Sequence, residues 1–209
     1  MDRHIKIFCL FLSACFFVGG CTSLKEPRNK IQYYTLEYAS PGITGLQSFP
    51  VALKVERFTV APAYNTNRII YRDKSFKRDE YFYYKWRSNP GDLVTYFLSR
   101  DIRDSGLFKA VLPQGSGFQY SYVLEGSVDE FLEWDSEQAW DAVLSISITL
   151  MAANEPDVSK RILFQKSYSE KKACTQKNPE GLAQAMSLAM AEISRKVIMD
   201  IYLVLKDRT

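Results

Sequence analysis

Histidine is almost missing from this 209-residue chain: the single one is His4, and the four cysteines are Cys9, Cys15, Cys21 and Cys174. Beyond the first tenth of the sequence there is no imidazole. That removes Ser-His-Asp and Cys-His nucleophile activation, the commonest neutral-pH acid–base group and most zinc and iron sites. Neither a GxGxxG nor a GxxxxGK[ST] loop is present, so no nucleotide site is expected, and no cofactor or metal either. Charge of one sign is also scarce. The 27 basic residues against 24 acidic leave a net of +3, too little for the electrostatic footprint of a nucleic-acid binder. The main apolar run, residues 7–18, falls short of the ~20 residues that a membrane-spanning helix needs. What remains is an ordinary globular composition, 46% hydrophobic and 14% aromatic, sized for one domain with a tail.

The N-terminus is built from Arg3 and Lys6, the apolar run from Ile7 to Val18, then Gly19, Gly20 and Cys21. A basic start, a short apolar centre and small residues before a cut describe a secretory signal. Val18-Gly19-Gly20-Cys21 resembles the bacterial lipobox, in which the Cys thiol is diacylated, the peptide is cut before it and the new amino terminus is acylated. Leu12-Ser13-Ala14-Cys15 competes, but it leaves about six apolar residues before the cut and strands Phe16, Phe17 and Val18 on the mature terminus. Cys21 leads into the polar stretch Thr22-Ser23-Leu24-Lys25-Glu26-Pro27 and is the favoured lipidation site; a plain thiol after ordinary signal cleavage is the remaining reading. The expected organisation is a signal peptide over 1–20, a lipidated tether over 21–32 and one domain over 33–206. Acyl chains at ~0.8 kcal/mol per buried CH₂ would anchor the chain permanently. Thr22 in place of Asp favours, by resemblance to enterobacterial sorting rules, the periplasmic face of the outer membrane in a Gram-negative bacterium. With Cys21 carrying lipid, Cys174 has no partner for an internal disulfide.

Within the domain, Tyr33–Leu36 is β-prone, and Val51, Leu53 and Val55 alternate with polar neighbours as in a half-buried strand that Pro62 ends. Residues 61–68 read as a loop, and 69–72 and 80–86 as two strands. Tyr81 to Trp86 is apolar on both faces apart from Lys85, which predicts burial on one side and a contact surface on the other. Asn89-Pro90 and Asn178-Pro179 are helix starts, a cap followed by a proline whose missing N–H costs nothing. Helices are expected over about 90–105, stopped by Gly106, and over 179–205. Residues 107–112 should form a strand, and 120–128, 144–150 and 161–169 a meander of antiparallel hairpins turning at 135–138 and 154–157. The acidic cluster Asp129, Glu130, Glu133, Asp135 and Glu137 lacks EF-hand spacing and reads as a solvated face and hairpin tip. The fold class is α+β: a mostly antiparallel or mixed sheet with two helices packed on one face and the other face partly open to partners.

A lipobox Cys, Tyr33-Tyr34-Thr35-Leu36, a strand leading into Ala61 to Arg72, Trp86 before a helix and a long C-terminal helix together resemble the PqiC-like family of ABC-type transport auxiliary lipoproteins. The resemblance covers about Tyr33 to Leu205. It implies a lipoprotein of the outer membrane working with an MCE-domain protein and an ABC permease and ATPase in lipid traffic between two membranes. The lipid anchor together with the missing chemistry leads to the expectation of a non-catalytic docking adaptor, whose candidate interface with a partner or with further copies of itself is Tyr64, Asn65, Asn67, Arg68, Tyr71, Arg72, Tyr81 and Tyr83. The alternative is a lipid-binding carrier holding an acyl chain between the sheet and the Met-containing C-terminal helix.

Overall fold

The computed structural model describes residues 30–73, 76–136 and 139–208. The signal segment, Cys15, Cys21, most of the tether and Glu137 lie outside the described residues. The elements in chain order are β1 (Gln32–Tyr34), β2 (Phe49–Val55), β3 (Thr59–Val60), β4 (Arg68–Arg72), β5 (Asp79–Trp86), α1 (Pro90–Asp104), β6 (Phe108–Pro113), β7 (Tyr122–Asp135), β8 (Trp140–Ala152), α2 (Val158–Arg161), β9 (Ile162–Ala173) and α3 (Pro179–Lys206).

Both long helices start as the sequence requires. The Asn89 side-chain oxygen accepts from the Gly91 amide at 2.9 Å, and that of Asn178 accepts from Gly181 at 2.8 Å. Gly106, at φ 67°, takes the left-handed conformation that closes α1. The short α2 was not expected from sequence. Asp157 turns the β8–β9 connection into a capped helical turn by accepting from the Ser159 amide at 2.9 Å.

The sheet is organised around β7. On one side β7 pairs antiparallel with β8, and β8 with β9, as the alternation of Leu144, Ile146, Ile148 and Leu150 with Ser145, Ser147 and Thr149 predicts. On its other side it takes three short strands in succession, β2, β3 and β4, all parallel. Strand β2 then carries β6 in parallel, β4 carries β5 antiparallel, and β5 carries the edge strand β1 in parallel. The sheet is therefore mixed. Strand β2 does not run on to Pro62: it ends at Val55, and Phe58 drops into the core against Gly126. A Cβ at Gly126 would sit 2.6 Å from the Phe58 ring and 2.4 Å from the Ser147 carbonyl oxygen. Pro62–Tyr64 is a single 3-10 turn.

Helix α3 packs on β8 and β9, α1 packs on β6 and β7, and the two helices touch. Leu182, Met186, Ala189, Met190, Ile193, Val197 and Ile201 of α3 are each 0% exposed. At about 1.5–3 kcal/mol for each large side chain withdrawn from water, this stripe clamps α3 to the sheet. The reverse face of β7–β9 carries the hydroxyls and faces solvent.

Candidate docking surfaces

The acidic cluster is dispersed by strand alternation and one bulge. Asp129 sits at the register shift in β7 and accepts from the Ser127 and Ser147 hydroxyls, both at 2.6 Å, on the open face. Glu133 points the other way. It is 1% exposed and accepts from the Tyr81 hydroxyl at 2.9 Å, so the expectation of a solvated face fails for this residue. Burial raises its carboxyl above the ordinary carboxylate range, although the Tyr81 bond pulls in the opposite direction. Asp135 faces Lys177 at 3.4 Å. Among the described residues, no three His, Cys, Asp or Glu side chains are grouped to hold a metal ion.

The eight interface candidates do not form one patch. Tyr64 is buried, with its hydroxyl accepting from Arg78 Nε at 3.3 Å, so it belongs to the core and not to a contact surface. Tyr71 and Tyr81 are half-buried in a chain of rings with Tyr84 and Tyr34, at centroid spacings of 4.7, 5.6 and 6.3 Å. The inward position of Tyr81 follows from its bond to Glu133. Arg72 lies over the Trp134 ring at 3.6 Å on the opposite face. Asn65 and Asn67 are exposed beside the start of α1, where Asn65 accepts from the Asn89 amide at 2.8 Å. Arg68 is partly exposed and pairs with Glu80, and Tyr83 stands out from β5.

The feature that sequence reading missed is on the open sheet face. A groove of about 670 Å³ is lined by Glu56, Arg57, Glu125, Ser127, Ser147 and Ser167, among others. Its floor is a row of hydroxyls across three strands: Ser127 and Ser147 both donate to Asp129, and Ser147 and Ser167 lie 2.8 Å apart. Alongside, Gln165 donates to Thr149 at 3.0 Å. The Ser/Thr alternation of β8 was legible; the bulge that brings Asp129 over to this face was not. Such a floor is preorganised, because its polar groups are already hydrogen-bonded to one another.

Two further features bound the chemistry. The Cys174 thiol is half-buried, and burial, with Glu133 and Asp141 nearby, pushes it up to about 12, far from a reactive thiolate. No helix among the described residues is long and apolar enough to cross a membrane.

Among solved structures the chain is similar to protein XCC0632 from Xanthomonas campestris, with 15% identity, a TM-score of 0.76 and coverage of 85% of this chain and 98% of that one. An uncharacterized protein matches with 12% identity and a TM-score of 0.63, covering 82% and 99%. The hypothetical protein CT253 from Chlamydia trachomatis matches with 6% identity and a TM-score of 0.50, covering 74% and 96%. At these identities the likeness is one of fold. A search of curated proteins finds no match. The model of one family, described as the ABC-type transport auxiliary lipoprotein component, matches residues 34–198, which run from the end of β1 into the last third of α3. The chain belongs to the ABC-type transport auxiliary lipoprotein family, whose name ties it to an ABC transport system.

Proposed function

We propose that this domain is a non-catalytic docking component, held by lipid on Cys21 at the periplasmic face of the outer membrane. It would serve an intermembrane lipid-transport system made of an MCE-domain protein, an ABC permease and an ATPase. The observation that carries this reading is the chemical opposition of the two sheet faces. One is sealed beneath α1 and α3, and the other is polar, open and internally hydrogen-bonded around the groove at Ser127, Ser147 and Ser167. A sealed layer and a preformed open face suit a contact surface for a partner or a second copy, with Asn65, Asn67, Arg68 and Tyr83 as further exposed contacts. The carrier reading is the weaker one, since the α3 side chains that would line an acyl-chain space are fully solvent-excluded and fill that layer.

Detergent-solubilised full chain should co-elute with the MCE-type protein or as a homo-oligomer. Replacing Ser147→Arg and Ser167→Arg together should abolish that association with thermal unfolding little changed. A monodisperse monomer without the partner refutes the docking reading. Phospholipid retained in native mass spectrometry would favour the carrier.

A further inference from the structure

Strand β9 is a long bare edge of the sheet. Among the described residues it pairs with β8 alone, over 12 residues, whereas β1 and β6, which end the other side of the sheet, have 3 and 6. An edge strand presents a row of unpaired amides and carbonyls, which natural sheets blunt with proline, bulges or charge, or use to take on a further strand. Strand β9 has no proline, and its one register shift lies near its start, between Ile162 and Phe164.

Charge is present, in a pattern complementary to its own reverse. When Lys166-Ser167-Tyr168-Ser169-Glu170 is laid antiparallel on a second copy with Tyr168 opposite Tyr168, each Lys166 faces a Glu170 and each Ser167 faces a Ser169. Opposite charges, hydroxyl pairs and facing rings are the cross-strand pairs that stabilise a sheet. Other registers lose this match. Centring on Lys166, Glu170, Lys171 or Lys172 sets a charge against itself, centring on Ser169 sets Lys166 against Lys172, and centring on Ser167 parts Lys166 from Glu170. The Tyr168 register gives Lys171 and Lys172 the uncharged neighbours Gln165 and Phe164.

The edge also has room beside it. A groove of about 450 Å³ runs between β9 and α3, lined by Lys166, Tyr168, Ser169, Lys196, Met199 and Asp200, among others. Lys166 meets Asp200 at 2.7 Å with half of its side chain still exposed, and Glu170 is held by Lys196. Both charges are therefore already positioned along the edge.

We infer that two copies of this chain join antiparallel along β9, about a two-fold axis through Tyr168 and perpendicular to the sheet. The inference rests on the docking reading above and names a second copy as the occupant of this edge. Such an interface is isologous. Its symmetry keeps α3 of both copies on one side of a continuous sheet and both hydroxyl floors on the other. The row Ser127, Ser147, Ser167 then runs on into Ser169 and Ser145 of the second copy, so that two grooves share one polar face.

The test is light scattering and sedimentation of the detergent-solubilised full chain as wild type, Lys166→Glu and Lys166→Glu/Glu170→Lys. Wild type should dimerise. Lys166→Glu makes both charged pairs repulsive and should weaken the dimer about thirtyfold, and the exchanged pair should recover most of that. Mixed Ser167→Cys and Ser169→Cys chains, altered at exposed positions, should cross-link on oxidation, and neither should do so alone, because like positions then stand beyond disulfide reach. Where Glu170→Lys unfolds the chain, the cysteine pair decides. A monomer at every concentration overturns the pairing, as does an assembly untouched by Lys166→Glu or cross-linked as well by Ser167→Cys alone. A monomer that binds an MCE-type protein overturns it while the docking reading stands; a dimer that binds none upholds the pairing and removes that partner from the docking reading.

Discussion

The long connection between β1 and β2 is fastened to α1 by a polar knot around Asp101. Asp101 is 0% exposed. One carboxylate oxygen accepts from the Tyr38 hydroxyl at 2.7 Å, and the other accepts two bonds from the Arg100 guanidinium, at 2.9 and 2.7 Å. That guanidinium also lies 4.4 Å from the Tyr38 ring centroid and 4.7 Å from that of Phe97, while Tyr38 stacks on Phe97 at 5.3 Å. Asp101→Ala leaves a guanidinium whose side chain is only 18% exposed and a buried hydroxyl without their acceptor. Breaking a buried pair from one side costs about 3–5 kcal/mol. Arg100 retains a route to water, so the expected loss is at the lower end, ~3 kcal/mol, or about 6–12 °C in Tm for a domain of this size. Tyr38→Phe removes one bond and should cost only about 1 kcal/mol. The assay is thermal and urea unfolding of both single variants and the double variant, with hydrogen exchange over residues 35–48 as a local readout. Coupling between the two sites and faster exchange in this segment are expected. A loss below about 1 kcal/mol for Asp101→Ala, with unchanged exchange, refutes the claim that this knot fastens the entry segment.

Stability should also fall in alkali. Burial first, then hydrogen bonding to Asp101 and Asp200 or the nearby charge of Glu133, holds the phenols of Tyr38, Tyr168 and Tyr81 protonated well above the ordinary tyrosine range. A pKa raised by folding means that the native state keeps protons the unfolded state releases, so this contribution is complete below about pH 10 and is lost as pH rises beyond it. The urea midpoint should be flat from about pH 7 to 9 and drop above 10, with Tyr168→Phe shallowing the drop; a midpoint constant to about pH 11.5 contradicts the assignment. At pH 8 the thiolate fraction of Cys174, pushed up to about 12, is on the order of a thousandfold below that of a free cysteine, so alkylation by iodoacetamide should be correspondingly slow in the native protein and fast in urea. Equal rates in the two states would show that the thiol is open.

Local rules carried most of the elements. Asn-Pro pairs placed both helix starts, Gly106 placed the first helix end, and the Ser/Thr alternation of β8 assigned its two faces correctly, because each is decided within a few residues of chain. Tyr64 and Glu133 went astray for a shared reason: a tyrosine in a turn-rich segment and a carboxylate in an acidic run look exposed until the packing of neighbouring strands turns them inward. The parallel pairing of β2, β3 and β4 to β7 was equally illegible, since the partners are separated by dozens of residues and no turn motif links them.

By itself the sequence determined the scarcity of histidine and cysteine, the α+β class, the two capped helices and the family to which the chain belongs. These rest on composition, on short-range backbone preferences and on the order of motifs along the chain. Tertiary structure alone decided that the candidate interface splits into buried and exposed parts, and that a bulge assembles Asp129, Ser127, Ser147 and Ser167 on one face. Each depends on strand register, which is set by contacts between residues far apart in the chain.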